Sequence, residues 1–444
     1  MLSKDSLADV NNNWKFNMPH QNHSHQHPNM LSVEEALLKI LSKFSVLDTT
    51  NAQLEDSIGM VTSEDVFSAL DIPPTDNSAM DGYAVISKDI KKATPENPVF
   101  LHVISTIAAG EVSSLAIRPG TAIRIMTGAP IPEGADSVVP FEETTEMDHE
   151  TSTSTDQIGI KISLPPETYI RNRGSDIKKL DKVISAGTNL TPPVIGVLAS
   201  LGRTHVKVYR RPIISVLATG NELVDPGSEL MPGKIYDSNT SGLVAAIKSC
   251  GATPRAVGIA TDDLETLNNK ITESLDSDLI ITSAGVSKGD YDVVKDVLNS
   301  RGDLAFWSVR MRPAKPLAFG TLRKLNGKNV PVIGLPGNPV SALVAFQQFC
   351  IHAINKMMGR PPKTFMKINA ILENDIHNFD GRRVYARVKV RRDGNNFKAQ
   401  LTGNQDSNVL TSMATADGLA ICPENMEVKG KGESVEVIML DWGG

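Results

Sequence analysis

Between Arg211 and about Arg360 the chain repeats one rhythm: an apolar run of strand length, a short turn, then a segment with helical spacing. "PIISVLATG" precedes "SNTSGLVAAIKSCG", "RAVGIATDD" precedes "LETLNNKITESL", and "SDLIITSAG" precedes "YDVVKDVLNSRG". "DLAFWSVRM", "PLAFGTL" and "VPVIGLPG" are further strands, and the last feeds a helix from Asn338 to Met358. Strands that are apolar on both faces must be covered on both faces. Their alternation with helices predicts a mostly parallel sheet between two helical layers.

The flanking segments read differently. Ser32, with glutamates after it and Leu37, Leu38, Ile40 and Leu41 on one side, predicts a capped helix. Residues 98–161 read as short strands joined by Gly and Pro turns, a small β domain with Glu142–Gln157 as a mobile loop. Thr191 to Leu201 reads as a short helix with prolines at its start. After Pro361 the alternation stops, and "VYARVKVRR" and "ESVEVIML" point to a second small β domain over 363–444. Residues 1–30 read as a disordered tail. Its His20, His23, His25 and His27 suit weak transition-metal binding, a solvated tail being the simpler reading.

Bulk properties exclude several classes. The 444 residues suit two to four domains, and a net charge of −6 speaks against a general nucleic-acid binder. Cys250, Cys350 and Cys422 lie far apart without a C-x-x-C pair, so neither a disulfide framework nor structural zinc is expected. A reducing cytoplasm is then the simpler home, and the polar N-terminus shows no signal peptide. The longest uncharged run, Val330 to Ala353, is interrupted by Pro331, Gly334, Pro336, Gly337, Asn338 and Pro339. It reads as strand, turn and buried helix, not as a bilayer span.

Ligands of open parallel sheets bind outside the carboxyl ends of the strands. The loops expected there are ATGNEL (218–223), ATDD (260–263), TSAGVSKGDYD (282–292), RMRPAKP (310–316) and GLPGNP (334–339). In the last, Asn338 suits an N-cap, Pro339 the first helical position, and Gly337 a close backbone approach. Free N–H groups there, with Ser341 in the first turn, would receive a small oxyanion. Arg312 and Lys315 supply cations for it. The hydroxyls of TSAGVSKGDYD suit a phosphate or a flat ring, although neither the Walker nor the G-x-G-x-x-G spacing is present. Asp262, Asp263, Asp290 and Asp292 gather carboxylates suited to Mg²⁺ beside phosphate. Helix capping is the alternative for at least two of them.

"SAMDGYA", "IRNRGSD", "ATGNEL", "TSAGVSKGDYD", "RPAKP" and "GLPGNPVSAL", in this order, resemble the MoeA family of molybdopterin molybdenumtransferases, related to the gephyrin E domain. The resemblance runs from about Leu31 to the C-terminus. It implies an α/β multidomain chain with a parallel-sheet domain at 208–362, similar to the molybdopterin adenylyltransferase fold. Around it are implied an elongated domain from 31–77 and 169–207, an inserted β domain at 78–168 and a C-terminal β domain at 363–444. The implied activity is insertion of molybdate into adenylylated molybdopterin, with Mg²⁺, releasing AMP. The implied oligomer is a homodimer, and the implied partners are the molybdopterin adenylyltransferase and acceptor molybdoenzymes, with no nucleic acid and no membrane.

Carried over by motif, molybdate would meet Arg312, Lys315, Pro316, Ser341, Arg382 and Ser407. Residues implied for catalysis are Asp81, Asp176, Glu222, Asp262, Asp292 and Lys315. Thr219, Gly220, Ser283, Gly285, Ser287, Gly337 and Asn338 would hold the pterin or nucleotide, and Asp262, Asp290 and Asp292 the metal. The chain departs from the family pattern at Arg312, where lysine is common, and at Thr240, Ser308, Asn221, Ala284 and Ala314. Competing readings are a non-catalytic molybdopterin-binding scaffold, a tungstate-using counterpart and an adenylyltransferase.

Overall fold

The computed structural model describes residues 30–147, 156–261, 263–283, 302–324, 327 and 329–442. The chain divides into two compact units. One comprises Met1–Ser63, Gly187–Ile195 and His205–Gly444, the other Glu64–Ala186 and Gly196–Thr204. Of the expected tail only residue 30, of the helix "YDVVKDVLNSRG" only Gly302, and of TSAGVSKGDYD only residues 282–283 are among the described residues.

The first unit holds the alternating region. Its strands are β1 (Ile213–Thr219), β2 (Thr253–Ala260), β3 (Leu279–Ser283), β4 (Gly302–Ser308), β5 (Met311–Arg312), β6 (Pro316–Arg323) and β7 (Asn329–Leu335). Among the described residues they form a six-stranded sheet in the order β2-β1-β3-β7-β6-β4, with β5 outside it. The first four are parallel; β6 runs antiparallel to β7, and β4 antiparallel to β6, so β4 points the same way as the first four. Both faces are covered, as the continuous apolar runs require. One face packs against α1 (Val33–Leu41), α2 (Ser238–Ser249) and the helical run opening with α4 (Pro339–Ala345). The other packs against α3 (Leu264–Ser274) through Leu267 and Ile271.

Ser32 caps α1 through a reciprocal capping box with Glu35. The buried stripe of α1 is Val33, Ala36, Ile40 and Leu41, with Leu37 packed beside it. Leu38, expected on that side, is exposed. The run after Pro339 widens to a π-helical turn at Phe346–Cys350 and continues as Ile351–Met357, all within the core. All three cysteines are free, Cys350 and Cys422 being buried. No described helix is long and apolar enough to cross a membrane.

His352 lies in this core, edge-on to Phe365 with ring centroids 5.5 Å apart. Burial, with the Lys363 charge adding to it, pulls its pKa from 6.5 down to about 4. The folded state therefore holds it neutral where the unfolded chain would protonate it. The stability this confers is complete above pH 6.5 and drains away as pH falls toward 4, by about 3 kcal/mol. Urea midpoints at pH 7 and pH 4.5 check this, and His352→Gln should flatten the difference.

After Arg360 come β8 (Lys367–Leu372), β9 (Arg383–Asp393), β10 (Asn396–Leu401), β11 (Gly418–Cys422) and β12 (Ser434–Met439). Their pairing runs β9-β10-β8-β12-β11 and returns to β9, closing a ring around a core of small aliphatic residues. The two-residue β5 pairs parallel with β9, setting Met311 against Arg383 and Arg312 against Val384. That pairing carries the RMRPAKP loop from the rim of the sheet onto the barrel.

The second unit is built on a five-stranded sheet in the order Ser137–Pro140, Gly82–Val85, Thr121–Ile125, Val99–Ile107 and Gln157–Ile160. Its alternating residues fill a core on each face. The expected loop after Glu142 is partly ordered. Phe141–Glu143 and Thr145–Met147 are single 3₁₀ turns, because Glu146 accepts from Tyr83 Oη and Arg124 Nη2, each at 2.7 Å. Residues 148–155 lie outside the described residues.

Candidate active site

The loops after β1 and β7 and the β4–β6 connection meet at one rim of the sheet, and the barrel closes over them. Between them lies a cleft of about 1190 Å³. It gathers Glu222, Ser283, Arg312, Lys315, Pro316, Gly337, Asn338, Ser341, Arg382 and Ser407, residues separated by up to 185 positions in sequence (407 − 222). All of these were expected to act together. Thr219 and Gly220 end β1 without lining the cleft, while Asp81 and Asp176 belong to the second unit. Asp262, Gly285, Ser287, Asp290 and Asp292 lie outside the described residues.

One end of the cleft combines three cations with a few hydroxyl and amide donors. Arg312 turns on a cis bond to Pro313, after which Ala314 takes φ +74°. Lys315 is exposed, and its ammonium has no hydrogen-bond or ion-pair partner among the described residues. Arg312 Nη2 donates to the His377 carbonyl, and Arg382 Nη1 to that of Met311 at 3.2 Å. Both guanidiniums face Asp380. Burial opposes its charge, but hydrogen bonds from Arg382 and the charges of Arg382 and Arg312 hold its carboxyl below the usual range.

The start of α4 differs from expectation. Asn338 has the extended N-cap backbone but makes no side-chain cap; its Nδ2 donates 2.8 Å to Ser407 Oγ instead. The Val340 N–H is taken by the Ser407 carbonyl at 3.1 Å, and Pro339 has none. The helix therefore offers the cleft one N–H, that of buried Ser341, not a fan of them. Because Ser407 Oγ accepts from Asn338, its own proton is free to be donated to an oxyanion.

The other end of the cleft is the rim near β1 and β3. Gly220, at φ +144°, lets Glu222 fold back over it. A Cβ there would stand 2.5 and 2.6 Å from the Glu222 carboxylate oxygens. Gly220→Ala is accordingly expected to displace that carboxylate and strain the backbone, lowering turnover about tenfold or more for a stability loss of about 1 kcal/mol. Kinetics beside a melting curve separate the two. Asn239, at the start of α2, donates to Ser283 Oγ at 2.7 Å and to the Gly337 carbonyl at 2.6 Å, tying the β3 and β7 loops together. Asp237 caps the same helix through the Thr240 N–H at 3.0 Å.

Two of the expected carboxylates can be placed by their partners. Asp263 caps α3 through the Thr266 N–H at 2.8 Å. The Thr261 hydroxyl, followed by that N–H, draws its pKa down to about 2, in keeping with the capping role. In the second unit Asp81 accepts from the Thr127 N–H at 2.6 Å and the Thr127 hydroxyl at 2.8 Å, which lower its pKa.

Asn239, Asp380 and Arg387 were missed in the sequence. Arg387 is 1% exposed and donates to the Asn404, Gln405 and Asp406 carbonyls at 3.2, 2.9 and 3.0 Å and to Ser412 Oγ at 3.1 Å. It braces the loop that delivers Ser407. An arginine in an alternating strand reads as a solvated residue, so only the structure shows it inside. Asp380, two residues before Arg382 in a Gly turn, carried a local signal that composition alone does not rank.

Three family descriptions match the chain: the MoeA N-terminal region (domain I and II) over residues 31–202, a probable molybdopterin binding domain over 215–356, and the MoeA C-terminal region (domain IV) over 369–440. Molybdopterin molybdenumtransferase 2 of Mycobacterium tuberculosis is 36% identical over 415 residues, covering 92% of this chain and 99% of its own. Molybdopterin molybdenumtransferase of Nostoc sp. is 33% identical over 93% of this chain and 94% of its own. The crystal structure of the molybdopterin biosynthesis MoeA protein from Pyrococcus horikosii superposes with a TM-score of 0.76 at 31% identity, covering 94% of this chain and 100% of that one. With three family descriptions matched in order along most of the chain and relatives above 30% identity over nine-tenths of it, this chain belongs to the MoeA family.

Proposed function

We propose that this chain is a molybdenum insertase of molybdenum cofactor biosynthesis, taking adenylylated molybdopterin and molybdate and releasing AMP. The observation that carries this reading is the β5–β9 pairing, which sets Arg312 beside Arg382 in one cleft with Lys315, Ser341 and Ser407. A tetrahedral dianion suits that donor set: forked guanidiniums, a free ammonium, one N–H and two hydroxyls. The rim from Glu222 to Ser283 and Gly337 is then left for the pterin and adenylate.

In this reading Lys315 and the arginines hold molybdate in line with the adenylyl phosphorus. A molybdate oxygen attacks that phosphorus, and the phosphoanhydride bond to the molybdopterin phosphate breaks. The Mo–O bond then breaks as molybdenum passes to the dithiolene sulfurs, so AMP keeps the oxygen. Mg²⁺, when bound, would offset charge on the phosphates. Glu222 offers a hard oxygen donor at the rim of the cleft. A cation that keeps water and phosphate oxygens suits such a donor. Asp262, Asp290 and Asp292 complete the proposed ligands.

The proposal includes a cytoplasmic homodimer in which Asp81 and Asp176 act on a cleft of the other copy. It also includes the division into elongated, inserted β, α/β and C-terminal β domains, and exchange with the molybdopterin adenylyltransferase and acceptor molybdoenzymes. Turnover with ¹⁸O-molybdate tests the chemistry. AMP carrying the label, released in step with reconstitution of a cofactor-free molybdoenzyme, supports it; unlabelled AMP removes the direct attack, and no AMP at all removes the insertase.

A further inference from the structure

Two arginines of the oxyanion end share one carboxylate oxygen. Arg382 Nε donates to Asp380 Oδ2 at 2.9 Å, Arg382 Nη2 reaches the same atom, and Arg312 Nη1 stands 3.9 Å from it. The Arg382 backbone N–H also donates to Oδ1 at 3.3 Å. Asp380 and Arg382 flank Gly381, whose φ of +64° curls the chain so that the pair forms locally. The carboxylate therefore sits against both guanidiniums without itself lining the cleft. Lys315 carries no such partner among the described residues.

We propose that Asp380 is a resident counter-ion that competes with the substrate oxyanion for Arg312 and Arg382, and so sets how tightly the site holds it. The inference rests on the reading of this cleft as the molybdate site. Its single negative charge offsets one of the two guanidiniums and repels a dianion placed against them. It also keeps two like charges side by side, which a neutral residue does less well. The charge effect dominates, because each arginine has a second anchor in the His377 or Met311 carbonyl. A hold that is too tight before reaction gains nothing for the chemical step, since the metal must leave for the sulfurs. Asp380 thus favours hand-over at the expense of affinity.

Equilibrium binding of molybdate alone to the full chain tests this, with Asp380→Asn, Asp380→Ser and Lys315→Ala alongside. Both neutral variants are expected to bind about tenfold more tightly at low salt, the gain shrinking as salt is added, with no rise in kcat. If one fails to fold, the other decides. Binding equal to or weaker than wild type in the neutral variants overturns the proposal and makes Asp380 a purely orienting group. The two readings fail separately. Lys315→Ala losing affinity while the Asp380 variants gain none sinks this inference alone. Asp380 variants that tighten while Lys315→Ala changes nothing uphold it and sink the assignment of Lys315.

Discussion

Lys315→Ala is expected to lower kcat/KM for AMP release about 100-fold or more while leaving the melting temperature nearly unchanged. The two halves of that expectation come from the same fact. The ammonium is exposed and without partners among the described residues, so the fold loses almost nothing when it goes. A charge-assisted contact to a dianion is worth about 3 kcal/mol, which is the stated factor. Lys315→Arg should recover part of the rate, since the charge returns on a different shape. A rate within threefold of wild type for the alanine variant would remove Lys315 from the chemistry.

Arg387→Leu is expected to have the largest effect on the fold, a loss of about 3–5 kcal/mol in denaturant unfolding. Three carbonyls and a hydroxyl lose their donor together, and leucine can satisfy none of them. Desolvation draws the guanidinium pKa down to about 10, so it remains charged at neutral pH and its hydrogen bonds are charge-assisted. The folded fraction should also bind molybdate poorly, because the 404–406 carbonyls hang from this residue and Ser407 follows them. Asn338 then loses its partner as well. A stability loss below about 1 kcal/mol would mean the loop is held by something else.

Much of this was legible before any coordinates. The apolar runs at Ile213, Leu279 and Asn329 gave the sheet because burial on both faces leaves a pattern that spacing reveals. The cleft residues Arg382 and Ser407 came from motif resemblance alone, since nothing in their spacing ties them to Arg312. What stayed hidden depends on who meets whom across long stretches of chain. The β5–β9 pairing involves two residues on each side, too short for periodicity to register. Asn338 looked like a cap because its local sequence permits one; Ser407, arriving from the barrel, won its side chain instead. Asp263 shows the converse, a cap that local sequence both permitted and obtained.

The closed ring of β8 to β12 sets a schedule for synthesis. Its last member, β12, pairs with β8 and β11, so the ring stays open at that seam until Met439 has been made. A nascent chain can assemble the sheet around β1, β3 and β7 early, yet it carries an unfinished barrel with two unpaired strand edges, the kind of surface that recruits other chains. A chain released before β12 would keep β5 paired with β9, yet the barrel beside the cleft would stay open along β8 and β11.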